Sequence, residues 1–211
     1  MKKSKEQIVG WIFIVLHLVG IAGFSIEATQ ALFQWLTPFN LLISLGLLLW
    51  LHPSWNYQFV LLSIIVGLLG YLIEVAGVNT GHIFGDYTYG ETLGFKLWNT
   101  PLMIGVNWLM MIYYTSAIAK RITSARVFQI VLGATLMVLM DLLIEPVAIT
   151  FDYWTWSGAG IPIQNYIGWF VSALLLHTVY TSVENRKNSA ALYLAIAQLI
   201  FFAVLNILRT I

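Results

Sequence analysis

The run VFQIVLGATLMVLMDLLIEPVAI, residues 127–149, sets two carboxyls, Asp141 and Glu145, and one proline, Pro146, into a stretch that is otherwise almost wholly apolar. At 1.5 Å per residue it is long enough to cross a hydrocarbon core about 30 Å thick as a helix. Six further segments read the same way: 8–24, 31–51, 59–78, 98–119, 163–180 and 189–208. The 211 residues are therefore expected to form an all-α, polytopic membrane helix bundle of about seven transmembrane helices, a single integral membrane domain over 1–211. Composition agrees. Hydrophobic residues make up 60% of the chain and charged residues 9%, against about 25% charged in a soluble domain, which excludes an ordinary soluble globule. A formal charge of +1 excludes a basic field for nucleic acid, and the absence of cysteine excludes disulfides, thiolate metal sites and Cys nucleophiles.

The opening Met1-Lys-Lys-Ser-Lys before an apolar run has the look of a signal peptide. The run is long, however, and has no small-residue cleavage site before Glu27, so a retained first helix is expected. Thr37-Pro38 suggests that the second helix starts late, with Pro38 in its first turn and residues 31–36 at the interface. Placing the N-terminus in the cytoplasm puts Lys2, Lys3, Lys5, Lys120, Arg121, Arg126, Arg186 and Lys187 inside and only Lys96 and Arg209 outside. The positive-inside rule favours that orientation in an inner, cytoplasmic membrane. The loops 79–97 and 150–162, rich in Gly, Tyr, Trp and Asp, then face outward together.

These two loops show a weak internal repeat. Asp86-Tyr-Thr-Tyr resembles Asp152-Tyr-Trp-Thr-Trp, and each is followed by a Pro with a Trp seven residues on, Pro101 to Trp108 and Pro162 to Trp169. Glu74 lies twelve residues before Asp86, and Asp141 eleven before Asp152. Related helix pairs enclosing a shared cavity would explain this, and so would chance similarity of two aromatic loops.

Glu74, Asp141 and Glu145 are the most informative residues, because a carboxyl in a spanning helix costs a few kcal/mol unless it faces a cavity, pairs or keeps its proton. Asp141 and Glu145, four apart, share a helix face, and Pro146 weakens the helix there. All three fall in the outer part of the bilayer, and at least one is expected to stay neutral beside an ionised partner, an acid and base pair. The structural alternative has them locking helices together through Asn79, Asn107, Tyr87 or backbone groups, with Lys96 as counter-ion. Asp86 and Asp152 join the candidate catalytic carboxyls. Tyr87, Tyr89, Trp98, Trp108, Tyr153, Trp154, Trp156, Tyr166 and Trp169 serve either as an interfacial belt or as faces that stabilise a developing cation. Trp108 is too deep for a belt. Asn107, Gln164 and Asn165 either orient a water or act as polar glue between helices. His17, His52, His82 and His177 show no metal-binding spacing, although His82 is placed to shuttle protons, and no metal is expected. Gly67, Gly70 and Gly77 permit close helix packing. GxGxxG, Walker and GxSxG motifs are absent, and the last helix has no internal lysine for a retinal.

The string Glu74-Val-Ala-Gly-Val-Asn-Thr-Gly-His-Ile-Phe-Gly-Asp-Tyr-Thr-Tyr resembles the signature of a membrane carotenoid biosynthesis family that includes carotenoid end-group hydratases. Pro101-Leu-Met-Ile-Gly-Val-Asn-Trp, Asp141-Leu-Leu-Ile-Glu-Pro, Tyr153-Trp-Thr-Trp and Gly160-Ile-Pro-Ile-Gln-Asn-Tyr-Ile-Gly-Trp resemble its remaining blocks in the same order. Together they cover about residues 72–170; the first two helices and the last show no such resemblance. The resemblance implies a cofactor-independent hydratase, a hydro-lyase that adds water to the terminal double bond of an acyclic carotenoid end. Its partners would be the carotenoid, water, the lipid bilayer and other enzymes of the carotenoid pathway. Two departures leave the exact substrate open: Glu145 stands where members often carry Asp, which lengthens the reach, and the chain is among the shorter forms.

The residues fit that chemistry. Protonating a trisubstituted alkene gives a tertiary cation, which needs a desolvated acid, electron-rich surroundings and a held water. Glu74 or Asp141 is expected to donate the proton, Glu145 or Asp152 to position water, and Trp108, Trp154 or Tyr87 to face the cation, with Asn79, Tyr89, Asn107, Tyr153, Trp156, Gln164, Asn165 and Trp169 around the substrate. The same acid could instead start ring closure, as in a lycopene cyclase, and a non-catalytic carotenoid-binding protein would need the cavity but not the clustered carboxyls.

Overall fold

The apolar runs become seven helices in the computed structural model, which describes residues 4–183 and 188–209. They are α1 (Lys5–Ser25), α2 (Glu27–Trp50), α3 (Tyr57–Thr80), α4 (Met103–Ile122), α5 (Arg126–Thr150), α6 (Ile163–Val183) and α7 (Ala190–Arg209). Four short strands lie in the connections: β1 (Tyr87–Tyr89), β2 (Lys96–Leu97), β3 (Thr100–Pro101) and β4 (Trp154–Trp156). Of the charges that argue for orientation, Lys2, Lys3, Arg186 and Lys187 lie outside the described residues.

Local chemistry sets several helix ends. Ser4 and Gln7 form a capping box on α1, and the Asn56 side chain accepts from the Phe59 amide at 2.8 Å to start α3. Gly81, at φ 68°, ends α3 in the left-handed region, its amide returning to the Gly77 carbonyl at 2.8 Å.

Six of the described helices are long and apolar enough to cross a membrane, and α4 is the one that is not. The reason is position. α4 packs against α2, α3, α5, α6 and α7, and Trp108, Met110, Met111, Ile112 and Ser116 on it are fully buried. Protein rather than lipid surrounds it, so Asn107, Thr115 and Ser116 are tolerated there. The outer helices instead carry half-exposed apolar residues such as Leu68, Leu139, Val171 and Leu175, as a hydrocarbon-facing surface requires. At the α3–α4 crossing Gly67, Gly70 and Gly105 bring the backbones together; a Cβ on Gly70 would strike Trp108, and one on Gly105 the Gly67 carbonyl. Gly77 likewise makes room for Phe84.

Two boundaries differ from the sequence reading. The fourth helix begins at Met103 rather than near 98, because β2 and β3 fold into a tight hairpin whose turn holds Trp98 and Asn99 at φ 51° and 62°. The second helix does not wait for Pro38 but runs through it from Glu27. Phe33 packs edge-on against Phe24 of α1 at 6.1 Å, and the Thr37 hydroxyl bonds to the Phe33 carbonyl at 3.0 Å, so packing holds the turns before the proline.

Candidate active site

Glu74 sits within two turns of the end of α3 and is 2% exposed. Its Oε2 accepts from the Tyr87 hydroxyl at 2.5 Å and the Tyr89 hydroxyl at 2.9 Å, and its Oε1 from the Trp108 indole N–H at 3.1 Å. Alternation along β1 sends both phenols inward and Thr88 outward. Burial, together with the neighbouring Glu74, pushes both phenols well above the usual tyrosine range, so they remain donors.

Glu145, 1% exposed and near the end of α5, repeats the arrangement with different chemistry. Its Oε2 accepts from the indole N–H groups of Trp154 and Trp156, both at 2.9 Å. Its Oε1 accepts from Asn165 Nδ2 at 3.0 Å. The same Asn165 amide donates to Asp141 Oδ2 at 2.9 Å, so one side chain on α6 ties two carboxyls on α5. Asp141, about one turn further into the bundle, is fully buried, and its Oδ1 has no hydrogen-bond partner.

The two donor strands pair with each other. β1 and β4 run antiparallel with Tyr87 opposite Trp156, Thr88 opposite Thr155 and Tyr89 opposite Trp154. The two loops that look alike in sequence are thus joined across the end of the bundle, and the equivalence runs between Glu74 and Glu145, not between Glu74 and Asp141. Beneath the ladder is a chamber of about 20 Å³ lined by Glu74, Glu145, Asn107, Trp108, Asn165 and Trp169 together with the four strand aromatics. Trp108 and Trp169 stack at 4.5 Å on one side of it. A water needs about 10–15 Å³ by this measure, so the chamber has room for one. Ile104, Asn107 and Trp154 also line a second, larger cavity of about 300 Å³ and form the partition between the two.

Other expected site residues are elsewhere. Asp86 is exposed, turned out by alternation next to the inward Tyr87; Asp152 is also exposed, its left-handed backbone at φ 56° interrupting the alternation before β4, and accepts from the Glu91 amide at 3.0 Å. Asn79 ties α3 to the hairpin turn through the Trp98 carbonyl at 3.0 Å and the Asn99 amide at 2.9 Å. Gln164 donates to the Gly81 and His82 carbonyls at 3.1 and 2.7 Å. His82 is exposed and does not line the chamber. Lys96 pairs with Glu91 at 2.7 Å rather than with an intramembrane acid. Tyr153 lines the larger cavity, where burial pushes its phenol up to about 12 and its hydroxyl meets Thr37 at 3.3 Å. His177 is held by Thr115 and Ser116, and His52 stacks on Phe59. Among the described residues no three His, Cys, Asp or Glu side chains come together as a metal site. The sequence reading missed Thr37, Ile104 and the cavity-lining residues of α1, α2 and α7, whose apolar side chains look like any lipid-facing ones.

The family model described as carotenoid biosynthesis protein matches residues 9–211. The chain belongs to this carotenoid biosynthesis family. The family match takes in α1, α2 and α7 as well as the 72–170 blocks. A curated relative, bisanhydrobacterioruberin hydratase of Haloarcula japonica, is 32% identical in an alignment 118 residues long that covers 50% of this chain and 39% of that protein. The aligned part therefore spans well under half the length of that relative. No solved structure matches this family member.

Proposed function

We propose that this protein is an enzyme that hydrates the terminal double bond of an acyclic carotenoid end group by acid catalysis inside the membrane. The observation that carries the reading is the pair of buried glutamates, Glu74 held by three aromatic donors and Glu145 by two, facing a chamber large enough for one water beside a mostly apolar cavity. The 32% identity to a hydratase supports it.

Glu74 is the proton donor. An acid that protonates an alkene must leave a stabilised anion; both glutamates have three donors, but Glu145 shares the Asn165 amide with a second carboxyl, Asp141, whereas the three donors of Glu74 serve it alone. The proton passes from Glu74 to the less substituted alkene carbon, the π bond breaks, and the positive charge appears on the tertiary carbon. The open ring face that the stacked Trp108–Trp169 pair turns to the chamber stabilises it. Water then bonds to that carbon and gives a proton to Glu145, so the alkene has gained one water. Proton exchange through the chamber returns Glu74 to its acid form. Asn165 positions Glu145 and Asp141; nothing beyond these side chains and water enters the scheme.

In this reading the N-terminus is cytoplasmic and the membrane an inner one; the positive charge of Lys5, Lys120, Arg121 and Arg126 at the helix ends opposite the chamber supports it. The carotenoid then arrives from other membrane enzymes of its pathway. Expression in a lycopene-producing host, with pigments separated and weighed by mass spectrometry, tests the reaction. Hydration adds the mass of one water, cyclisation changes retention and absorption but not mass, and a binding protein leaves the pigment unaltered. Glu74→Gln and Glu145→Gln should each insert in the membrane and stop product formation; near wild-type yield from both refutes the scheme.

A further inference from the structure

Three helices that hold none of the carboxyls, α1, α2 and α7, enclose the 300 Å³ cavity together with the chamber end of α4. Its lining is mostly apolar and aromatic, including Phe24, Phe33, Phe201 and Phe202, with His17, Asn40 and Gln198 among its few polar side chains. On one side it reaches the partition of Ile104, Asn107 and Trp154. On the other it is lined by Val19 of α1 and by Phe39 and Ile43 of α2, which are 52%, 48% and 49% exposed on the outer surface of the bundle. None of the three lies in the terminal turn of its helix, and Phe39 and Ile43 are near the middle of α2, so the opening faces hydrocarbon and not the loop end where water is.

We infer that this cavity seats the leading part of the polyene, which enters sideways from the bilayer between α1 and α2 with its end group directed at the chamber. The inference rests on the hydration reading for the identity of the occupant and adds the route and the residues that grip it. A water-borne ligand would have to cross hydrocarbon to reach this opening, whereas a polyene is already dissolved there. A volume of about 300 Å³ is at the lower end for ligand pockets, so an end segment fits and the rest of a long chain stays in the lipid. The aromatic rings present flat faces and edges to a flat conjugated chain. Gly20 is the width-setting position: it lines the cavity, and a Cβ there meets the edge of the Phe201 ring of α7 at 3.0 Å, so a larger side chain must push that ring or fill cavity space.

The test uses the full-length protein in lipid nanodiscs with lycopene as probe, reading the lycopene retained and the shift of its visible band. Gly20→Leu should weaken lycopene binding about tenfold or more. Ile43→Trp, a change at an exposed position that cannot unpack the core, should do the same. Val15→Trp, equally exposed on α1 but outside the lining, should bind as wild type. Glu74→Gln should bind normally while forming no product. Unchanged binding in both Gly20→Leu and Ile43→Trp overturns the assignment, as does a co-purified phospholipid chain that lycopene does not displace. If those two variants lose lycopene but the wild type makes no hydrated product, the cavity assignment stands and the hydration reading falls.

Discussion

Replacing Tyr87 and Tyr89 by Phe asks whether Glu74 is the acid. Each change deletes one hydroxyl from a buried carboxyl and leaves the ring, so the aromatic packing beneath the ladder is kept. A hydrogen bond to a charged group contributes about 1.5–3 kcal/mol, and here the charge appears on Glu74 only as its proton leaves. At about tenfold per 1.4 kcal/mol, Tyr89→Phe should slow hydration by roughly 10- to 100-fold, and Tyr87→Phe, which removes the shorter bond, by at least as much. The double variant should lose on the order of 10³ or more. The assay is the initial rate of hydrated lycopene formation in nanodiscs, with the thermal unfolding midpoint measured alongside. Trp154→Phe and Trp156→Phe are the counterpart pair on Glu145. Fewer donors make a carboxylate a stronger base, so those variants should slow the reaction much less. A folded Tyr87→Phe/Tyr89→Phe protein turning over at the wild-type rate refutes Glu74 as donor. Strong slowing confined to the tryptophan pair exchanges the two roles.

Three further outcomes are expected. Asn165→Leu takes a donor from Glu145 and Asp141 together, which should lower both turnover and the unfolding midpoint by the loss of about 1–3 kcal/mol per carboxyl, measured by rate assay and thermal scan. Reporter domains fused after Ser124 and after Gly158 should report the cytoplasm and the opposite side respectively; the same side for both contradicts the bundle topology. Because Tyr87 and Tyr89 are held well above the ordinary phenol range, their tyrosinate absorbance should still be missing at about pH 10, and the difference spectrum of the double Phe variant should match wild type there.

Much of the fold was legible because the bilayer imposes a length and an apolarity that few other environments do, and the three intramembrane acids stood out as costly exceptions. The α4 helix was legible only as one more span. Its lower apolarity, with Asn107, Thr115 and Ser116, was the sign that protein surrounds it. The outer carboxyls Asp86 and Asp152 are exposed and do not line the chamber, although a repeat aligned on them groups them with Glu74 and Asp141. Aligned on the alternation Tyr-Thr-Tyr and Trp-Thr-Trp, the same residues describe two strands with one face inward, and the aspartates fall at their edges. Pro38 misled because propensity marks a preferred helix start while packing against α1 decides the actual one. The cavity walls were invisible for a different reason: Val19, Phe39 and Ile43 have the same side chains whether they meet lipid or line an opening.

The pairing of β1 with β4 joins the two halves of the site. Side chains alternate across a strand, so a shift of either strand by a single residue would turn two inward rings out and bring a threonine in. The ladder sets the phenols that serve Glu74 against the indoles that serve Glu145 rung by rung, although the two acids sit on different helices. A deletion or insertion within 87–89 or 154–156 therefore strips one acid of its donors and leaves the other acid's rings paired with a strand out of step.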